Sequence, residues 1–92
     1  MAGHRWSNVE YMYKIYILQS LKDNKFYIGQ TSNLEERLKY HDRGHVPSTR
    51  SRRPLKVVFT EDFENRIDAI KRERYLKKLK GGNEFKRIVG LI

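Results

Sequence analysis

The chain has 92 residues, with 20 lysines and arginines against 11 aspartates and glutamates, for a formal net charge of +9. That length excludes a second core, and the absence of cysteine excludes a disulfide framework, a thiolate nucleophile and a cysteine-based zinc site. No apolar run approaches the ~20 residues of a membrane span, so the charge points to a polyanionic partner, nucleic acid before a membrane surface.

Residues 1–11 lack the apolar core of a signal peptide. Their composition (Gly3, His4, Ser7, Asn8) reads as a flexible leader before one domain over 12–92, and a cysteine-free chain of this kind is expected in the cytoplasm. Tyr13 to Gln19 is rich in β-branched and aromatic residues and predicts a strand. Leu21 to Lys25 is a turn in which Asp23 and Asn24 tolerate hairpin backbone angles. Phe26 to Gln30 is the returning strand, with Tyr27 and Gly29 on one face and Phe26 and Ile28 on the other.

A helix follows over about 33–42, with Ser32 as its cap, Glu35 completing a capping box and Gly44 ending it. Residues 43–54 show no periodicity and read as a loop. They hold Arg43, Arg50, Arg52 and Arg53 and no acidic residue. Leu55 to Thr60 predicts a third strand, 65–80 a second helix stopped by Gly81 and Gly82, and 84–89 a short helical turn. The order ββαβαα implies an α/β domain with a small, mainly antiparallel sheet.

Both long helices carry charge where apolar residues belong. Leu34 and Leu38 mark the inner face of the first, and Arg37 and His41 fall within about 60° of Leu34 at 100° per residue. They are i,i+4 neighbours, so both heads can point at one place. On the second, Ile67, Ala69, Ile70 and Leu76 form an apolar stripe that Glu73 interrupts. An inward carboxylate is costly unless it is paired or holds a metal. A buried Glu73–Arg37 salt bridge with an interior His41 accounts for these charges as well as a functional site does. Tyr13, Tyr16, Tyr27, Tyr40 and Tyr75 are each plausible core aromatics. Tyr16 and Tyr27 differ in lying on adjacent strands of one hairpin.

Ile15-Tyr16, Tyr27-Ile28-Gly29, Arg37 and His41, taken with the loop phrase Ser48 to Leu55 and with Ala69-Ile70-Lys71-Arg72-Glu73, resemble the GIY-YIG endonuclease superfamily. The likeness is to its small stand-alone bacterial members, relatives of the incising N-terminal domain of the excision-repair nuclease, and it covers nearly all of 12–92. It implies the GIY-YIG fold, a three-stranded sheet flanked by helices. It also implies a DNA endonuclease, a repair context included, that depends on one divalent cation. In that pattern Tyr16 and Tyr27 are the two motif tyrosines and Gly29 the motif glycine. Arg37 contacts the phosphate, His41 supports the site and Glu73 ligates the metal. Lys14 stands where the first motif usually has glycine, and the C-terminal asparagine of the phage-type enzymes has no secure counterpart.

Phosphodiester hydrolysis needs an activated water and neutralised phosphate charge. Glu73 offers a hard oxygen ligand suited to Mg²⁺ or Mn²⁺, and Arg37 a bidentate fork for the phosphate. Tyr27, helped by Tyr16 and His41, is the expected general base, with metal-bound hydroxide as the alternative source of the attacking oxygen. Since a phenol ionises near pH 10, that role calls for nearby cations. Arg43, Arg50, Arg52, Arg53, Lys71, Arg74, Lys77 and Lys78 are the expected contacts to the nucleic-acid backbone, which position a strand without reading it. The competing reading is a non-catalytic nucleic-acid-binding module on the same fold, and a third is a basic protein that docks on an acidic one.

Overall fold

A computed structural model describes residues 12–91; the leader expected over 1–11 lies outside them. Strands β1 (Tyr13–Ser20) and β2 (Phe26–Thr31) form the expected hairpin, followed by α1 (Leu34–Asp42), α2 (Pro47–Arg50), β3 (Leu55–Phe63), α3 (Arg66–Leu79) and α4 (Asn83–Ile88). The sheet is antiparallel throughout, in the order β2-β1-β3. The hairpin turn closes through Ser20 N–H to Lys25 O, with Asn24 at φ 62, a region asparagine tolerates. Ser20 Oγ accepts the N–H groups of Lys22 and Asp23 and donates to Arg52 O, tying the turn to the loop before β3.

The alternation of β1 and β2 sorts their side chains onto two faces. Ile15, Ile17 and Ile28 pack with Ala69 and Leu76 of α3 and with Phe85 and Val89 around α4, burying the main apolar core. Tyr16, Leu18, Ser20 and Gly29 point the other way and are buried with His41, Val46 and Thr49. The sheet is thus covered on one face by α3 and α4 and on the other by α1 and α2, and Tyr16 belongs to the smaller, more polar layer.

Five expectations are corrected. Asn33, not Ser32, caps α1: its side chain accepts the N–H of Glu36 at 3.1 Å. Thr31 Oγ1 takes the N–H of Asn33 at 3.1 Å, which holds the chain in a turn one residue longer before the helix begins. Residues 47–50 are helical rather than loop, with Pro47 at the start of α2, where its missing N–H costs nothing. Strand β3 runs to Phe63 because Glu61, Asp62 and Phe63 pair with Ile15, Lys14 and Tyr13. Ile67 is 65% exposed and lies outside the stripe formed by Ala69 and Leu76, and Tyr40 and Tyr75 are exposed rather than core. Gly44 does end α1, at φ 79 with its N–H on His41 O.

The capping assignment predicts that Asn33→Ala lowers unfolding free energy by about 1 kcal/mol, while Ser32→Ala changes it by less than about half of that. Urea denaturation of both variants checks this; equal losses would return the cap to Ser32.

Candidate active site

Tyr16 sits at the middle of β1, opposite Gly29 on β2. Its ring crosses the space a side chain at Gly29 would fill: a Cβ there would lie 2.6 Å from Tyr16 Cζ and Oη. Glycine is therefore required by close approach, and it lets the phenol lie flat across the sheet toward α1. There Tyr16 Oη meets His41 Nε2 at 3.0 Å and accepts the Arg37 Nε–H at 3.3 Å. The far side of the imidazole, Nδ1, is 2.8 Å from Thr49 Oγ1, whose hydroxyl reaches Val46 O at 3.5 Å.

Tyr16, His41 and Thr49 are at most 1% exposed, so each of their polar atoms needs a partner inside the protein. One assignment gives every donor an acceptor. Arg37 donates to Tyr16, Tyr16 to His41 Nε2, His41 Nδ1–H to Thr49, and Thr49 to the Val46 carbonyl. That assignment sets the imidazole as the neutral Nδ1–H tautomer. Burial, then the nearby Arg37 charge, lowers the His41 pKa, with Asp42 opposing. Burial also pushes the Tyr16 phenol up to about 12, against the pull of Arg37. Tyr16 is accordingly a neutral hydroxyl, and Arg37, held by it, stays a cation.

Tyr27 lies on the same face and differs in exposure. It is half-buried, with its ring centroid 6.2 Å from Tyr16 and 5.0 Å from His41. Arg37 spends Nε on Tyr16 and lines an open cavity of about 430 Å³ with Tyr13, Gln30, Thr31, Ser32 and Arg66. Among the described residues no carboxylate pairs with its terminal nitrogens, which can meet an anion there in the bidentate manner guanidinium favours.

Glu73 does not pair with Arg37. Its carboxylate is 3.0 Å from Lys77 Nζ and its side chain is 21% exposed. Its place along β2 follows from α3. At 100° per residue, Arg66, Glu73, Lys77 and Lys80 lie within about 60° of one another on the helix. Arg66 shares the cavity of Gln30 and Thr31 at one end of β2. Lys77 and Lys80 share a groove with Phe26 at the other end. Glu73 is seven residues from Arg66, about 10 Å along the helix, or about three residues of strand. That sets it level with Ile28 and Tyr27 on the flank of α3 facing β2. Arg72, on the opposite flank, pairs with Glu61 of β3 at 2.7 Å.

A lone carboxylate suits a hard divalent ion that keeps most of its waters. Among the described residues no group of three or more His, Cys, Asp or Glu offers a fuller cage. The oxygen beside Lys77 already faces a cation, so the position tolerates positive charge.

The cations expected on the nucleic-acid surface divide. Lys71, Arg74 and Lys78 lie on the side of α3 roughly opposite Ala69 and away from β2. Arg53 donates to Arg50 O and Asp42 O and so braces the end of α1. Arg43 and Arg50 are exposed beyond the cavity, and Arg52 and Lys77 flank the groove by Phe26. Thr49 and Arg66 were missed. Thr49 sits in a four-residue helix too short for periodicity, with Pro47 as its one sequence signal. Arg66 stands beside Arg37 only through the tertiary fold.

A model of the GIY-YIG catalytic domain matches residues 12–86. Among known proteins, a UPF0213 protein of Clostridium perfringens is 48% identical over 66 residues, covering 71% of this chain and 70% of that one. A UPF0213 protein of Bacillus licheniformis is 36% identical over 83 residues, covering 89% and 81%. The solution NMR structure of a UPF0213 protein from Bacillus halodurans matches with a TM-score of 0.55 at 31% identity, over 87% of this chain and 84% of that one. The expected family and fold are both borne out. Among the described residues no helix is long and apolar enough to cross a membrane.

Two outcomes follow from the buried network. Gly29→Ala forces the Tyr16 ring aside and is expected to cost about 1–3 kcal/mol, with a shift of the His41 imidazole signals by NMR. The folded pKa of His41 is lowered, so its contribution to stability is full above the unfolded value of about 6.5 and is lost as pH falls below it. Urea denaturation is expected to show stability falling from about pH 7 to about pH 5, with a smaller fall in His41→Asn.

Proposed function

This chain belongs to the GIY-YIG catalytic-domain family, and from that premise we propose that it is an endonuclease that hydrolyses DNA phosphodiester bonds with one divalent cation, Mg²⁺ or Mn²⁺. The observation that carries the reading is the Arg37–Tyr16–His41 network. It fixes a guanidinium on the wall of an open cavity, and half-buried Tyr27 packs against the His41 ring of the same network, 5.0 Å between centroids. What favours catalysis over binding alone is the placement of one oriented guanidinium close to a solvent-facing tyrosine, since contacts that only position a nucleic-acid backbone require neither.

In this reading the terminal nitrogens of Arg37 grip the scissile phosphate and offset the charge that builds on it. Tyr27, half-buried on the edge strand β2, acts as its phenolate, taking the proton of the attacking water and becoming the neutral phenol. Tyr16 and His41 do not touch substrate. They are closed off from solvent and act by holding Arg37 and the flank of Tyr27 in place. Glu73, level with Tyr27, would hold the cation, which when bound supplies Lewis-acid charge to the phosphate. Lys77 then yields the carboxylate and is released toward the backbone.

The test is incubation of the purified protein with single-stranded, duplex and branched DNA, and with RNA, in Mg²⁺ or Mn²⁺. Cleavage of DNA is expected, stopped by chelator and reduced about 10²–10³-fold by Arg37→Ala, with Glu73→Gln abolishing the response to metal. Cleavage undiminished in Glu73→Gln would remove that residue's role. Tight binding without cleavage by the parent protein would instead mean a non-catalytic binding module.

A further inference from the structure

At the end of β2 remote from Arg37, an open groove of about 600 Å³ runs between the hairpin turn, the loop before β3 and the end of α3. Four cations from these three elements line it: Lys25, Arg52, Lys77 and Lys80. Its floor is Phe26, partly buried and set edge-on against Phe85 at 5.1 Å. Two of the cations have carboxylate neighbours, Arg52 with Asp23 at 3.5 Å and Lys77 with Glu73 at 3.0 Å. Lys25 and Lys80 have none among the described residues.

Convergence of like charges from separate elements costs repulsion that scattered solvated lysines avoid. Lys80 bears this directly: partial desolvation, then Arg52 and Lys77, lower its pKa. An anion in the groove relieves the repulsion, and a flat aromatic floor adds a surface on which a base or sugar can rest.

We propose that this groove holds the phosphate backbone of the nucleic-acid strand that flanks the cleaved position, with Lys25 and Lys80 on its phosphates and Phe26 beneath its sugar or base. The strand path rests on the nuclease reading above. It runs along the β2 edge from the Arg37–Arg66 cavity, past Tyr27 and Glu73, to the groove. The eleven residues from Arg66 to Lys77 span about 16 Å, the rise of roughly five nucleotides of duplex.

The experiment compares two double variants of equal net charge, Lys25→Gln with Lys80→Gln in the groove and Lys56→Gln with Lys86→Gln on exposed surface elsewhere. Binding of fluorescein-labelled single-stranded and duplex DNA is followed by anisotropy between about 50 and 200 mM salt. The groove variant is expected to bind about tenfold more weakly. Its log–log salt slope is expected to be shallower by about 0.7 to 0.9 for each phosphate no longer neutralised, the control variant staying near the parent. Equal slopes and affinities in the two variants overturn the groove as a site. A parent protein that binds with this pattern but cleaves nothing supports the groove and overturns the nuclease reading.

Discussion

The hydroxyl of Tyr16 is the atom around which one whole layer of this protein is organised. A phenol with 0% exposure must have its oxygen satisfied from within, and the partners it takes come from two places on α1, Arg37 and His41. Those bonds fix the helix's rotation and height above the sheet. His41 in turn needs a partner for its second nitrogen, and finding it in Thr49 ties α2 to the same point. Gly29 makes the arrangement possible by leaving its side of β2 bare. Removal of Tyr16, His41 or Thr49 leaves a buried donor or acceptor unpaired, a larger loss than the bond's own net worth.

This constraint separates two tyrosines that resemble each other in the sequence. Both lie on one sheet face, Tyr16 opposite Gly29 and Tyr27 opposite Leu18. Tyr16 is sealed beneath α1 and committed to its neighbours, while Tyr27 sits nearer the edge and meets solvent. A sealed hydroxyl can act only on its packed neighbours, whereas one that meets solvent can also exchange hydrogen bonds with water. Along α3 a similar sorting acts on charge. Arg72 turns to Glu61 on β3, whereas Arg66, Glu73, Lys77 and Lys80 turn toward β2. Lys71, Arg74 and Lys78 face outward. The +9 charge is therefore shaped by helical phase as much as by composition.

Much of this was legible beforehand. The hairpin, both long helices and their glycine stops follow from local rules, alternation on β1 and β2 and turn chemistry at Asp23 and Asn24. The gathering of Arg37 and His41 follows from i,i+4 spacing. The errors have local physical causes too. Thr31 captured the Asn33 amide and moved the cap by one residue. Helix α2 was too short to show a period, and β1 extended β3 by pairing. Ile67 is apolar but stands on the flank of α3 turned away from the sheet, roughly opposite Ala69 and Leu76.

The sequence by itself determined the family, the order of the main elements, the face on which Tyr16, Tyr27 and Gly29 stand, and the identity of the charged residues on the helices. Those features rest on short-range geometry, the two- and 3.6-residue periods that fix neighbours a few positions apart. Only the tertiary structure decided that Thr49 holds His41, that Glu73 pairs with Lys77 rather than Arg37, and that Arg66 joins Arg37 at one cavity. Such contacts join residues separated along the chain or select among competing partners. Which of them forms depends on how the helices settle on the sheet, a choice made by the burial of the whole core and the need to satisfy every polar group within it.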